Sequence, residues 1–85
     1  MADSSYANFK PFEGTASTAV TLTFDWRPRS ITITNDSSTT NLEFKFNAGE
    51  DYATLFPGET VSPDIITRNV YLNSTGAAYR VWGIG

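Results

Sequence analysis

Six short stretches of the chain alternate apolar and polar residues, with turn-forming residues between them at close and fairly even spacing. Val20-Thr21-Leu22-Thr23-Phe24, Ile31-Thr32-Ile33-Thr34 and Leu42-Glu43-Phe44-Lys45-Phe46 carry the pattern most cleanly. A strand turns successive side chains to opposite faces, so each stretch offers one face for burial and one for water. No segment sustains a 3.6-residue apolar period. The chain is therefore expected to be all-β: a small antiparallel β-sandwich or flattened barrel of six to seven strands.

At 85 residues there is room for one domain and no second core. Chains this small commonly supplement the core with disulfides, metals, self-association or dense packing. The absence of cysteine excludes disulfides and thiolate metal sites, and the absence of histidine removes the commonest metal ligand and general base. Aromatic packing and self-association remain, and an aromatic content of 14% suits both. A net charge of −3 with six scattered basic residues argues against a nucleic-acid surface, which needs clustered Lys and Arg. No apolar run approaches the roughly 20 residues that span a bilayer, so no membrane is expected. Met1 to Ser5 carries neither a basic region nor an apolar segment and reads as no signal peptide. The sequons Asn35-Asp36-Ser37 and Asn73-Ser74-Thr75 accordingly read as turn chemistry.

Residues 1–17 are polar with isolated aromatics and read as an extended or flexible N-terminal arm, leaving 18–85 as the sandwich. Three aromatics (Tyr6, Phe9 and Phe12) point to an arm that orders on a neighbouring subunit. Strands are expected at roughly 19–25, 29–35, 42–47, 52–55, 60–62, 68–73 and 78–84. Pro57-Gly58 marks a type II turn. Ser62-Pro63-Asp64 resembles a helix start, but the β-branched Ile65-Ile66-Thr67 limits it to one turn at most. The last strand is apolar on both sides, with Tyr79 and Val81 on one and Trp82 and Ile84 on the other. Such a strand is expected in the middle of a sheet or covered on its second face.

No catalytic constellation is visible. Glu50, Asp51, Glu59 and Asp64 could pair for acid–base work, or bind calcium together with Asn47. They sit in turns, however, without the spacing either chemistry needs, and read as solvated or backbone-bonded groups. No histidine or placed lysine activates a serine or threonine. No cofactor, metal or catalytic residue is therefore expected. Binding surfaces are better supported. Trp26, Arg27 and Arg29 put an indole beside two guanidiniums at a turn, and Tyr71, Tyr79, Arg80 and Trp82 crowd the last hairpin. Aromatic rings with arginine are what protein interfaces enrich. Together with Tyr6, Phe9 and Phe12 these residues form the candidate contact set, with core filling as the competing role for Trp26, Tyr79 and Trp82 and a solvated turn as that for Arg27 and Arg29. Planar aromatics also stack on sugars, which keeps a carbohydrate-binding module open.

From Ser30 to Gly85 the chain resembles short virion proteins of tailed bacteriophages and prophages. The resemblance rests on Ser30-Ile31-Thr32-Ile33-Thr34-Asn35-Asp36, on Leu42-Glu43-Phe44-Lys45-Phe46-Asn47 and on the Pro57-Gly58-Glu59-Thr60 turn. Val70-Tyr71-Leu72 and Tyr79-Arg80-Val81-Trp82-Gly83 complete it. It implies a non-enzymatic virion protein made in the host cytoplasm, most directly a head decoration (cement) protein bridging capsid subunits. Its partner would be the major capsid protein or another virion protein, with a homo-oligomer, a trimer before others, as its own state. A carbohydrate-binding or adhesin module on a tail or fibre is the alternative.

Overall fold

The computed structural model describes residues 9–85, which form eight strands and, among the described residues, no helix. These are β1 (Phe9–Ala16), β2 (Val20–Thr23), β3 (Ser30–Asn35), β4 (Leu42–Lys45), β5 (Ala53–Leu55), β6 (Thr60–Val61), β7 (Asn69–Asn73) and β8 (Ala77–Ile84). They build two antiparallel four-stranded sheets, ordered β1-β8-β3-β6 and β2-β7-β4-β5. The all-β sandwich is the fold the alternation predicted, with one strand more than expected.

The core lies between the sheets. Ile31, Ile33, Tyr79 and Val81 point into it from the first sheet, and Leu22, Leu42, Leu55, Val70 and Leu72 from the second. Phe24 follows β2 and is 1% exposed, with edge-on contacts to Phe12 at 5.2 Å and Trp26 at 5.6 Å between centroids. Each such pair adds about 0.5–1.5 kcal/mol beyond the area it buries.

The additional strand corrects the N-terminal boundary. Residues 9–16 are not a free arm: they pair with β8 along its whole length, from Phe9 opposite Ile84 to Ala16 opposite Ala77. The cause is backbone accounting. β8 lies inside the sheet and must pair its N–H and C=O groups on both sides; β3 serves one side and β1 the other. The domain therefore includes residue 9 onward, and Tyr6 lies outside the described residues.

The ladder alternation fixes which way β1 presents its own backbone. Asp36 N–H donates to Ala78 O in register with the β3–β8 ladder, so the even-numbered residues of β8 bond toward β3. The odd-numbered ones bond toward β1 and meet Lys10, Phe12, Gly14 and Ala16. Phe9, Pro11, Glu13 and Thr15 thus turn their backbone groups to the open edge. Pro11, with no N–H, stands where a further strand would need a donor, a common protection for edge strands.

The Pro57-Gly58 turn forms as expected: Gly58 has φ 79°, Glu59 N–H donates to Phe56 O at 3.0 Å, and Phe56 N–H donates to Glu59 Oε1 at 2.7 Å. Residues 62–67 make no helical turn. Their β-branched run disfavours one, and Thr67 Oγ1 instead accepts the Asn69 N–H at 3.1 Å.

Candidate functional site: the outer face of the first sheet

Side chains directly opposite each other in a ladder share a face, so the register writes out the outer surface of the first sheet in rows. Phe9, Ile84 and Ser30 form one row, Pro11, Trp82 and Thr32 the next, and Glu13, Arg80 and Thr34 the third. The first two rows make an apolar end. Phe9 is 55% exposed, Ile84 47% and Trp82 40%, all large residues at the middle or edge of a regular sheet. Phe9 meets Trp82 edge-on, with centroids 6.3 Å apart and planes at 65°. An apolar patch of this kind, rimmed by polar groups, is the usual mark of an interaction surface.

The third row is a fixed charged rim. Arg80 Nε donates to Asp36 Oδ2 at 2.7 Å and Arg80 Nη2 to Asp36 Oδ1 at 3.0 Å, a two-point bond that holds the guanidinium in plane. The same group lies 5.7 Å from the Trp82 ring centroid. Hydrogen bonding to Asp36 first, then its charge, raises the Arg80 pKa, so this cation stays charged throughout the working pH range. Hydroxyl pairs continue the face toward β6: Thr32 with Ser62 and Thr34 with Thr60, each at 3.0 Å. Arg80 is thus a rigid neighbour of Trp82 rather than a free charge.

Of the residues singled out from sequence, Phe9, Arg80 and Trp82 come together here. Phe12 and Tyr79 do not. They point between the sheets: Tyr79 is 7% exposed in the core, and Phe12 packs on Phe24. These two contact assignments are corrected to core packing, because their positions in the ladders place them on the inner face. Trp26 is half-buried beside Phe24, and its Nε1 is buried without a hydrogen-bond partner among the described residues. Arg27 and Arg29 are exposed between β2 and β3, where the Arg29 N–H donates to Ile84 O at 2.8 Å. Tyr71 lies on the outer face of the second sheet, beside Lys45.

Sequence reasoning missed Pro11, Ile84 and Asp36 as members of this face. Ile84 had a signal, since it shares the Trp82 side of a two-sided strand. Pro11 and Asp36 had none: one is brought by β1 and the other by the residue following β3.

A second feature lies elsewhere, an open polar depression of about 420 Å³. Hydroxyls of Thr39, Thr54 and Thr75 line it with one carboxylate, Glu43, and none of the aromatic candidates reaches it. Among the described residues no three acidic side chains converge to hold a metal ion. No family model, characterised protein or solved structure matches the chain.

Proposed function

We propose that this chain is a non-enzymatic virion accessory protein of a tailed bacteriophage. Its role would be capsid decoration, docking on the major capsid protein through the outer face of its first sheet. The observation that carries the reading is the outward turn of Trp82 and Ile84 on the central strand β8, joined by Phe9 from β1. The resemblance of Ser30–Gly85 to short phage virion proteins supplies the biological setting.

Dimensions set how such docking works. Strands of eight, eight, six and two residues, about 4.8 Å apart, present a face of roughly 400 Å². A stable pairwise interface takes about 800 Å² from each partner. One contact of this size is weak by itself, but a capsid offers the same site in many copies, and a chain touching two neighbouring subunits gains from their fixed spacing. That is how a small sandwich clamps a shell: it adds buried area across a seam between subunits.

The competing reading, a carbohydrate-binding or adhesin module on a tail or fibre, needs aromatic faces laid in one plane. The 65° angle between Phe9 and Trp82 favours a shaped protein surface over a flat sugar platform. The test is co-sedimentation with shells assembled from the major capsid protein of the same genome. Trp82→Ser with Ile84→Ser should abolish pelleting while the circular dichroism spectrum stays that of the parent. Unchanged pelleting of the folded double variant would remove this face, and the proposal with it.

A further inference from the structure

We infer that β1 is an exchangeable strand: copies of this chain associate by each placing its β1 against the β8 of another. The inference is independent of the capsid reading and needs no capsid for its test.

Three observations carry it. The first is how little of the core β1 supplies. Of its eight residues only Ala16 is fully buried, and only Lys10 and Phe12 are half-buried, whereas β8 buries every second residue along most of its length. The main buried cluster, from Leu22 through Val81, comes from the other strands. β1 is held chiefly by backbone pairing to its one hydrogen-bonded neighbour, which puts it at the low-stability end of the fold.

The second is the connection. Residues 17–19 are all exposed, and these three residues carry the chain from the edge of the first sheet to the edge of the second. A short corner between two layers can serve as the hinge of an exchange, because the exchanged form keeps every strand contact and changes only the corner. β1 also precedes every other described strand, so none of them has to be threaded when it leaves.

The third is the fit of the slot. Withdrawing β1 uncovers the backbone groups of Ala77, Tyr79, Val81 and Gly83, which must find partners. A strand that fills the place is best served by a glycine beside the Tyr79 ring, since a methyl at Gly14 stands 2.9 Å from Tyr79 Oη and the tip of the ring must shift to admit it. It also needs an aromatic ring to meet Phe24, as Phe12 does. The β1 of a second copy meets both requirements. One other strand-based route to self-association is blunted: adding a second β1 to the open edge of β1 meets Pro11, which has no N–H to give.

The chain has no cysteine, so one introduced pair reports the partner of β8 without interference. Thr15 and Ala78 are directly opposite on the outer face, at a non-hydrogen-bonded position of the ladder. Such positions bring Cα atoms to about 4.5 Å, within disulfide range. Thr15→Cys with Ala78→Cys, checked for folding while reduced, is oxidised over a series of protein concentrations and run on a non-reducing denaturing gel. Exchange joins chains covalently, and the linked fraction rises with concentration. Lengthening the corner with Gly-Gly-Ser after Thr18 should lower that fraction several-fold. Intrachain disulfide alone at every concentration overturns the inference, including the case in which light scattering shows an oligomer assembled by another route. If the first pair disturbs folding, Phe9→Cys with Ile84→Cys gives the same readout from the opposite end of the ladder.

Discussion

Tyr79 lies directly opposite Gly14 across the β1–β8 ladder, and its ring occupies the space a side chain at Gly14 would need. Gly83 stands in the same relation to Phe24, and more tightly: a methyl there comes 2.3 Å from the Phe24 ring, against 2.9 Å from the Tyr79 hydroxyl at Gly14. Neither glycine is among those with positive φ, so the requirement is one of space. Overpacking costs about 1–3 kcal/mol. Gly83→Ala should fall at the upper end, because Phe24 is held between Phe12 and Trp26. Gly14→Ala should cost less, since only the tip of Tyr79 must move. Urea unfolding of the two variants checks the order, and equal losses would contradict it.

Asn35 is the buried polar joint of the sandwich, 0% exposed. Its Nδ2 donates to Thr40 O and Leu55 O, each at 2.9 Å, and its Oδ1 accepts the Ser37 N–H at 2.9 Å. The Asx turn expected from its sequon is therefore real, and the same side chain also ties the loop after β3 to β5. Asn35→Ala leaves the Leu55 carbonyl without this donor and should cost about 3 kcal/mol. In a domain of this size that lowers Tm by more than about 10 °C. A loss of only a degree or two would show that the loop stands without it.

Glu50 gives a pH signature. Its pKa is lowered, first by the hydrogen bond from the Asn47 side chain at 3.0 Å and then by the backbone N–H of Phe46. A carboxylate whose folded pKa lies below its unfolded one adds stability above the unfolded value and loses it as pH falls through the folded value. Glu50→Gln keeps the shape and removes the titration. It should melt lower than the parent near neutral pH, with the gap closing in acid. Thermal melts of both proteins from pH 7 to pH 2 measure it, and a gap independent of pH would assign the loss to something other than the charge.

Truncation separates an arm from a strand. Removing residues 1–8 spares every described strand and should leave Tm close to that of the full chain. Removing residues 1–15 strips β8 of its neighbour and exposes one of its edges, so melting should drop and aggregation rise with concentration. Equal melting of the two truncations would mean that β1 contributes nothing to the fold.

Much of this was legible in the residues themselves. Leu22 and Phe24, Ile31 and Ile33, and Leu42 and Phe46 are buried where the alternation places them, and the glycine after Pro57 has the positive φ its turn requires. β1 was not legible. Phe9 and Phe12 are three residues apart, which in a strand sends them to opposite faces, so the segment shows no apolar side. Lys10, Pro11 and Gly14 add no strand preference of their own.

The candidate face was half legible. The two-sided apolar pattern of β8 announced a central strand, and the structure places it between β1 and β3. Local sequence could not say which of its two sides would be covered. The division is a physical one. Alternation and turn chemistry act between near neighbours, so the chain by itself determined the strands, most of the turns and the all-β class. Whether Tyr79 or Trp82 would face the second sheet, and whether residues 9–16 would find a partner, depended on pairings between the two ends of the chain. Only the tertiary structure decided those: packing against the second sheet buried Tyr79 and left Trp82 outside, and the open side of β8 drew in β1.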